Sequence, residues 1–402
     1  MKKDILLIVN YWHFDFEKKS SRYRTMANVL VEGNYDIEVI SSTFRHQTKQ
    51  HRDTDAVSEG KYSYKITLLH EPGYAKNISL KRMYSHHCFA KEIVKYLKNR
   101  KKPDLIIVSV PSLSVGSAVT KYAEENGIKL IIDIQDLWPE AFKMAINIPV
   151  VSDILFAPMM IQANKIYSRA DKVMAVSQTY VERGLSHNKK DDKGLAVFIG
   201  TDSTLVAEAT HGKSIEKPSN EFWVGYIGAL GHSYDIKLII DALKILKEKG
   251  IDNIVFKIMG EGMLMDEFKQ YASTSGVNCE FSGFIEYGDM MTVLGACDVA
   301  VNPIIGNSVS SIINKVSDYA MAGVPVINTQ NSPEYRNLIE EYNCGINCEN
   351  GSAQSVADAI EKLYTDELWR NQMKKNSLRL AREKFDRNII YKDIISLVKE
   401  VI

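Results

Sequence analysis

Lys315 and Asp318 stand three residues apart in the run Asn314-Lys315-Val316-Ser317-Asp318-Tyr319-Ala320-Met321-Ala322-Gly323-Val324-Pro325-Val326-Ile327. On a helix that spacing puts a cation and a carboxylate on one face. Gly323 closes such a helix, and Pro325 leads into an apolar strand. The pair then sits one to two turns from a helix start, where backbone N–H groups and the helix dipole favour a phosphate. The lysine adds to that field, and the carboxylate can accept hydrogen bonds from a ribose diol. Together they suit a nucleotide sugar. The same spacing also describes an ordinary surface ion pair. The elements that position the two residues have to decide.

The chain has 402 residues, which is long for one core and fits two domains. Fifty basic residues balance fifty acidic ones, an even sign balance that argues against a nucleic-acid partner. No apolar run reaches the roughly 18–20 residues needed to span a bilayer. The start, Met1-Lys2-Lys3-Asp4 followed by Ile5–Val9, reads as a first buried strand, because Asn10-Tyr11-Trp12-His13 offers no small-residue cleavage site. Cys88, Cys279, Cys297, Cys344 and Cys348 are scattered and read as reduced thiols of a cytoplasmic protein.

Short continuous apolar strands alternate with helices, the pattern of a parallel sheet covered on both faces. In the first half the strands read as Ile5–Val9, Ile37–Ile40, Tyr64–Leu69, Leu105–Val108, Lys129–Asp133 and Lys172–Val176. Helical periodicity fills Ser21–Val31, Leu80–Asn99, Val115–Glu125 and Ile154–Arg169. The pattern restarts at Trp223–Ile227 and continues through Ile254–Met259, Asn278–Ser282, Asp298–Asn302, Val324–Asn328 and Gly345–Cys348. Two doubly wound α/β domains in tandem are expected: 1–203, a polar linker over 204–220, and 221–384. Residues 385–402 form a last helix returning to the first domain, so the chain ends in a helical tail. Ligands of such sheets bind at the carboxyl ends of their strands.

Several further residues could serve a site. Gly228-x-x-Gly231 gives a tight turn at a strand end, whether for a phosphate or for the turn alone. Gly260-Glu261-Gly262 follows another strand. Asp136 lies in a loop just after a strand and reads either as a polar residue facing a substrate or as a turn residue near Pro139. Asp53-Thr54-Asp55 has the spelling of a metal site but lies in a polar loop, and it reads as solvated. The stretch Lys76–Lys102 holds nine basic residues and one acid, interleaved with Leu80, Met83, Tyr84, Phe89, Ile93, Tyr96 and Leu97. It is either a helix lying on an anionic bilayer or a core-facing helix with a solvated basic side.

The motifs, in order, resemble the retaining glycosyltransferases of family 4, of GT-B fold, in their bacterial capsule and O-antigen branch. Asp136-Leu137-Trp138-Pro139-Glu140 resembles that branch's D-x-W-P-E loop, and Phe198-Ile199-Gly200-Thr201-Asp202 takes the place of its N-G-x-D signal. Gly225–His232 resembles the start of the nucleotide-sugar domain. Asp298–Pro303 resembles a following strand, and Lys315–Ile327 the segment K-x-x-E-Y-M-A-x-G-x-P-V-I. The resemblance implies a UDP-linked donor and a lipid-linked saccharide acceptor. It also implies a cytoplasmic enzyme at the inner leaflet of the plasma membrane, with no metal or other cofactor. It assigns Asp136 and Lys315 to catalysis. Donor contacts fall to Gly228, Gly231, His232, Phe284, Asp318 and the backbone N–H groups of Ile312, Ile313 and Asn314. Arg22, at the loop-to-helix entry of the first domain, reads as a donor contact at the diphosphate, as an acceptor contact, or as a surface ion pair. The family's paired glutamates fall here on Ser310 and Asp318, and its basic pair on Ala229 and Tyr234. Asp318 is shorter than glutamate by about 1.5 Å. These departures keep two other readings in view, a UDP-sugar epimerase of the same fold and a catalytically silent sugar-nucleotide binder.

Overall fold

The computed structural model describes residues 2–14, 17, 21–52, 62–145, 149–306 and 312–402. Two compact units divide the chain, Met1–Phe198 with Tyr391–Ile402, and Ile199–Ile390.

The first unit opens with β1 (Asp4–Ile8), α1 (Arg22–Glu32) and β2 (Asp36–Ser42). A small hairpin, β3 (Phe44–Arg45) and β4 (Gln50–His51), precedes β5 (Lys65–Leu69) and α2 (Leu80–Asn99). Next come β6 (Leu105–Val110), α3 (Leu113–Asn126), β7 (Lys129–Ile134), α4 (Glu140–Ala145) and α5 (Pro149–Arg169). The alternation ends with β8 (Lys172–Ala175), α6 (Gln178–Leu185) and β9 (Leu195–Ala196).

Seven strands pair in the order β5-β2-β1-β6-β7-β8-β9, all parallel. Ile5, Leu6, Leu7 and Ile8 of β1 are buried without remainder, as a central strand covered on both faces requires. Serines start four of the helices: the Ser21, Ser79, Ser112 and Ser177 side chains each accept a first-turn N–H of α1, α2, α3 and α6. In α2, Phe89, Ile93 and Leu97 recur every fourth residue and are buried, which fixes its inward face.

The second unit begins with α7 (Ser203–Thr210), inside the segment expected to be linker. The Asp202 carboxylate caps it by accepting from the N–H groups of Thr204 and Leu205. Leu205, Val206, Ala207 and Ala209 then continue a helix that overall polarity concealed. Residues 211–220 carry turns only. The unit proceeds through β10 (Phe222–Ile227), α8 (Ile236–Glu248), β11 (Ile254–Met259), α9 (Met265–Ser275), β12 (Cys279–Gly283) and α10 (Tyr287–Ala296). It continues with β13 (Val299–Asn302), α11 (Lys315–Met321), β14 (Val326–Asn328), α12 (Pro333–Tyr342) and β15 (Gly345–Asn347). Its six strands are ordered β12-β11-β10-β13-β14-β15, again parallel. The order reverses between β10 and β13, the position where such sheets open a crevice at their carboxyl ends.

The helical tail comprises α13 (Ala353–Thr365), α14 (Glu367–Leu380), α15 (Arg387–Ile390) and α16 (Lys392–Val401). A widened turn, in which Asp386 N donates to the Ala381 carbonyl at 2.7 Å, separates α14 from α15. α16 belongs to the first unit and packs against α1.

Candidate active site

Gly228 follows β10, and Lys315 begins α11 after β13, so they come after the two strands that flank the reversal in the second sheet. Gly228 has φ 125°, a backbone region that disfavours side chains. It also lies directly under the lysine: a Cβ there would stand 2.9 Å from Lys315 Nζ and 3.2 Å from Cε. The neighbouring loops close up just as tightly. A Cβ on Gly260 would meet the Gly228 carbonyl oxygen at 1.9 Å, and one on Gly262 the Leu230 oxygen at 2.1 Å. Leu230 N donates to the Glu261 carbonyl at 2.9 Å, tying the two glycine loops together.

Lys315 is buried, with 9% of its surface exposed. Its Nζ finds no acceptor among the described residues. Two aromatic faces hold it instead, with the Tyr234 ring centroid 3.7 Å away and that of Tyr226 4.1 Å away. Burial holds its pKa well below the ordinary lysine value. The Tyr226 hydroxyl donates to the Ala229 carbonyl at 2.7 Å, so the glycine loop fixes the ring that faces the ammonium. Tyr234 is anchored by its N–H on the Gly231 carbonyl at 3.1 Å. An unpaired buried cation costs several kcal/mol, and an arriving diphosphate would supply the missing charge.

One turn along α11, Asp318 Oδ1 accepts from Thr201 Oγ1 and from the Tyr287 hydroxyl, each at 2.9 Å. Oδ2 accepts from no described residue. Burial pushes the carboxyl pKa up, against the two hydrogen bonds. One oxygen of this carboxylate is thus held by the protein. Lys315 and Asp318 do not pair with each other, and the surface ion-pair reading fails.

The backbone N–H groups of Ile312, Ile313 and Asn314 donate to no backbone carbonyl among the described residues. Asn314 makes no side-chain cap. His232 is exposed beside the Gly231 loop, and Phe284 is 74% exposed after β12. Ser310, Asp53 and Asp55 lie outside the described residues. Among the described residues no cluster of His, Cys, Asp and Glu could hold a metal.

Arg22 and Asp136 belong to the first unit. The Arg22 guanidinium is buried and committed, with Nη2 2.7 Å from Asp133 Oδ1 and Nη1 donating to the Val197 carbonyl at 3.0 Å. Asp136 is half-buried and accepts from Leu137 N at 2.9 Å and from Trp138 Nε1 at 3.2 Å. Those contacts make it a local turn anchor, and burial pushes its pKa up.

Sequence reasoning missed Tyr226, Tyr234, Thr201 and Tyr287. Tyr234 was noted only as a replacement for a basic residue, and Thr201 only as part of a motif. No spacing in the chain announces that these residues converge on Lys315 and Asp318.

The architecture is that of the GT-B glycosyltransferases, two parallel-sheet α/β domains with a helical tail. Residues 208–379 match the family described as glycosyl transferases group 1. The HepE protein of Anabaena in complex with UDP is similar over 100% of both chains, with TM-score 0.68 and 15% identity. A glycosyltransferase from Rickettsia africae is similar over 100% of this chain and 98% of its own, with TM-score 0.67 and 15% identity. WaaG, a glycosyltransferase involved in lipopolysaccharide biosynthesis, is similar over 98% and 99%, with TM-score 0.61 and 14% identity. At such identities the likeness is one of fold. No curated protein sequence matches the chain.

Proposed function

We propose that this chain is a retaining glycosyltransferase of family 4. It moves a hexosyl or N-acetylhexosaminyl group from a UDP-linked donor to a lipid-linked saccharide of a capsule or O-antigen pathway. The observation that carries the reading is the buried Lys315 ammonium beside Gly228, which has no acceptor among the described residues. The match over residues 208–379 supports the class, and the HepE complexes with UDP and UDP-glucose support the donor.

In this reading Lys315 donates to the diphosphate, and the backbone N–H groups of 312–314 add to it. Asp318 Oδ2 accepts from the ribose. As the bond between the anomeric carbon and the diphosphate oxygen breaks, negative charge builds on UDP, where Lys315 is already placed. The acceptor oxygen bonds to the same face of the anomeric carbon, and its proton passes to the departing phosphate oxygen. No protein nucleophile and no metal enters.

The first unit takes the acceptor, peripherally, at the inner membrane face. Ile78, Leu80 and Tyr84 at the start of α2 are 72%, 88% and 62% exposed beside Lys76 and Lys81, a mixture suited to anionic lipid. Phe89, Ile93 and Leu97 of the same helix face the core, and Arg100 pairs inward with Asp4 and Glu38. Membrane contact therefore falls to the helix start. No described helix is long and apolar enough to cross a membrane.

The test is UDP release from UDP-sugars, with and without a lipid-linked acceptor and in excess EDTA. Acceptor-dependent release that survives EDTA supports the transferase. Sugar inversion without release would make it an epimerase, and binding without either would make it a silent binder. Flotation with anionic vesicles at low salt checks the membrane face.

A further inference from the structure

The donor site leaves unused a second group of cations, in the first unit. His46 and Lys49 lie in the turn of the β3–β4 hairpin that comes after β2, Tyr74 and Asn77 follow β5, Tyr11 follows β1, and Arg82 lies in the first turn of α2. Most of these loops stand at the carboxyl ends of parallel strands, where ligands of such sheets bind. Lys49 Nζ is 3.2 Å from His46 Nδ1 and donates to Asn77 Oδ1 at 2.5 Å. Both cations lie against one ring: Lys49 Nζ is 4.9 Å and the Arg82 guanidinium carbon 5.5 Å from the Tyr74 centroid. Arg82 donates to the Tyr11 hydroxyl and to the Asn77 carbonyl, both at 2.8 Å. The Tyr74 hydroxyl is 2.6 Å from His46 Nδ1.

What the cluster lacks is an anion. Neither Lys49 nor Arg82 forms an ion pair with a carboxylate among the described residues. Arg82 is 9% exposed and its Nε has no acceptor among the described residues. The two carboxyls that feel its charge, Glu71 and Asp136, are both pushed by burial towards their neutral forms. Glu71 is in any case engaged by the Ser85 hydroxyl at 2.8 Å. Burial, with Lys49 and Arg82, holds the His46 imidazole down at about 4, so it is neutral at pH 7.

We propose that His46, Lys49 and Arg82, gathered around Tyr74, bind a phosphate group carried by the acceptor. This rests on the reading that the first unit receives an acceptor. Two cations and a neutral imidazole, arriving from separate loops, suit a tetrahedral dianion. Arginine's fork and lysine's point charge are the usual phosphate donors. The phosphate comes either as the diphosphate of a lipid carrier or as a soluble sugar phosphate.

The full chain, first saturated with UDP so that Lys315 is occupied, is titrated calorimetrically with hexyl diphosphate, glucose 1-phosphate, hexanol and glucose. The expected result is binding of at least one phosphate compound and of neither neutral control. Lys49→Gln weakens that binding at least tenfold and Arg82→Gln more, while UDP affinity, titrated separately, stays within twofold. Tighter hexyl diphosphate points to a lipid carrier, and tighter glucose 1-phosphate to a soluble acceptor. No phosphate binding, or unchanged binding in Lys49→Gln, overturns the proposal even if Arg82→Gln does not fold. Failure of UDP itself to bind would strike the donor reading instead, and the comparison with Lys49→Gln would still decide this one.

Discussion

Arg22 in the first unit and Lys315 in the second are both buried, at 6% and 9% exposure. Arg22 is met by Asp133 at 2.7 Å and by the Val197 carbonyl at 3.0 Å. Burial alone would lower its pKa, but the Asp133 carboxylate more than offsets this and holds it charged. Among the described residues Lys315 has two aromatic faces and no acceptor, and burial lowers its pKa. The first cation is complete and holds α1 to the sheet. The second is incomplete without a ligand. Lone burial of charge does not mark a site; burial without a counter-charge does.

The largest effect should come from breaking the complete pair. Asp133→Ala strands the buried guanidinium and should destabilise the first unit by about 3–5 kcal/mol, read from urea unfolding. Lys315→Met removes an uncompensated charge and should leave stability unchanged or raised in the same measurement. A similar loss from both substitutions would break the contrast. Next in size is ligand binding: Lys315→Met should weaken UDP by about 2–3 kcal/mol while sparing uridine, which has no diphosphate. Equal losses for the two ligands in calorimetry would return Lys315 to a structural role.

The same contrast explains what the chain revealed before its structure. Alternating apolar runs show both parallel sheets because each strand is local and its period is short. The Lys315–Asp318 spacing and the Gly228 and Gly260–Gly262 turns are also local, and the fold packs Gly228 against both Lys315 and Gly260. The partners are not local. Thr201 reaches Asp318 across 117 positions and Tyr287 across 31, contacts that only the folded chain creates. Whether a cation has a counter-charge is a property of packing, so Arg22 and Lys315 look alike in sequence. α7 was hidden for a simpler reason, since eight helical residues sit beside a polar stretch that dominates the composition.

Asp318 gives the third measure. Only Oδ2 remains for a ligand, so Asp318→Ala should weaken UDP and uridine alike by about 1.5–2 kcal/mol, one charge-assisted bond. Thr201→Val and Tyr287→Phe should each cost less, because they orient the carboxylate without touching the ribose. Selective loss for UDP would place Asp318 on the phosphates and undo the division of labour with Lys315.

The smallest effect is the uptake of at most one proton, and it tests the incompleteness of Lys315 directly. Its folded pKa lies below the unfolded lysine value. Between those two pH values the unfolded chain binds more protons than the folded one. Stability should therefore rise with pH across that window, by the linkage relation. Below the folded pKa the lysine is charged in both states and the burial cost is fully present. Lys315→Met should flatten that slope, whereas Arg22, held charged throughout, contributes none. Bound diphosphate reverses the shift by favouring the ammonium, so UDP binding should take up as much as one proton above the folded pKa. Affinity should then fall as pH rises through the window. Calorimetry in two buffers of different ionisation enthalpy reads the uptake. Uptake from UDP but not uridine, abolished in Lys315→Met, is the expected result. Uptake that persists in the variant would assign the proton to another group and end the claim that this lysine waits for its anion.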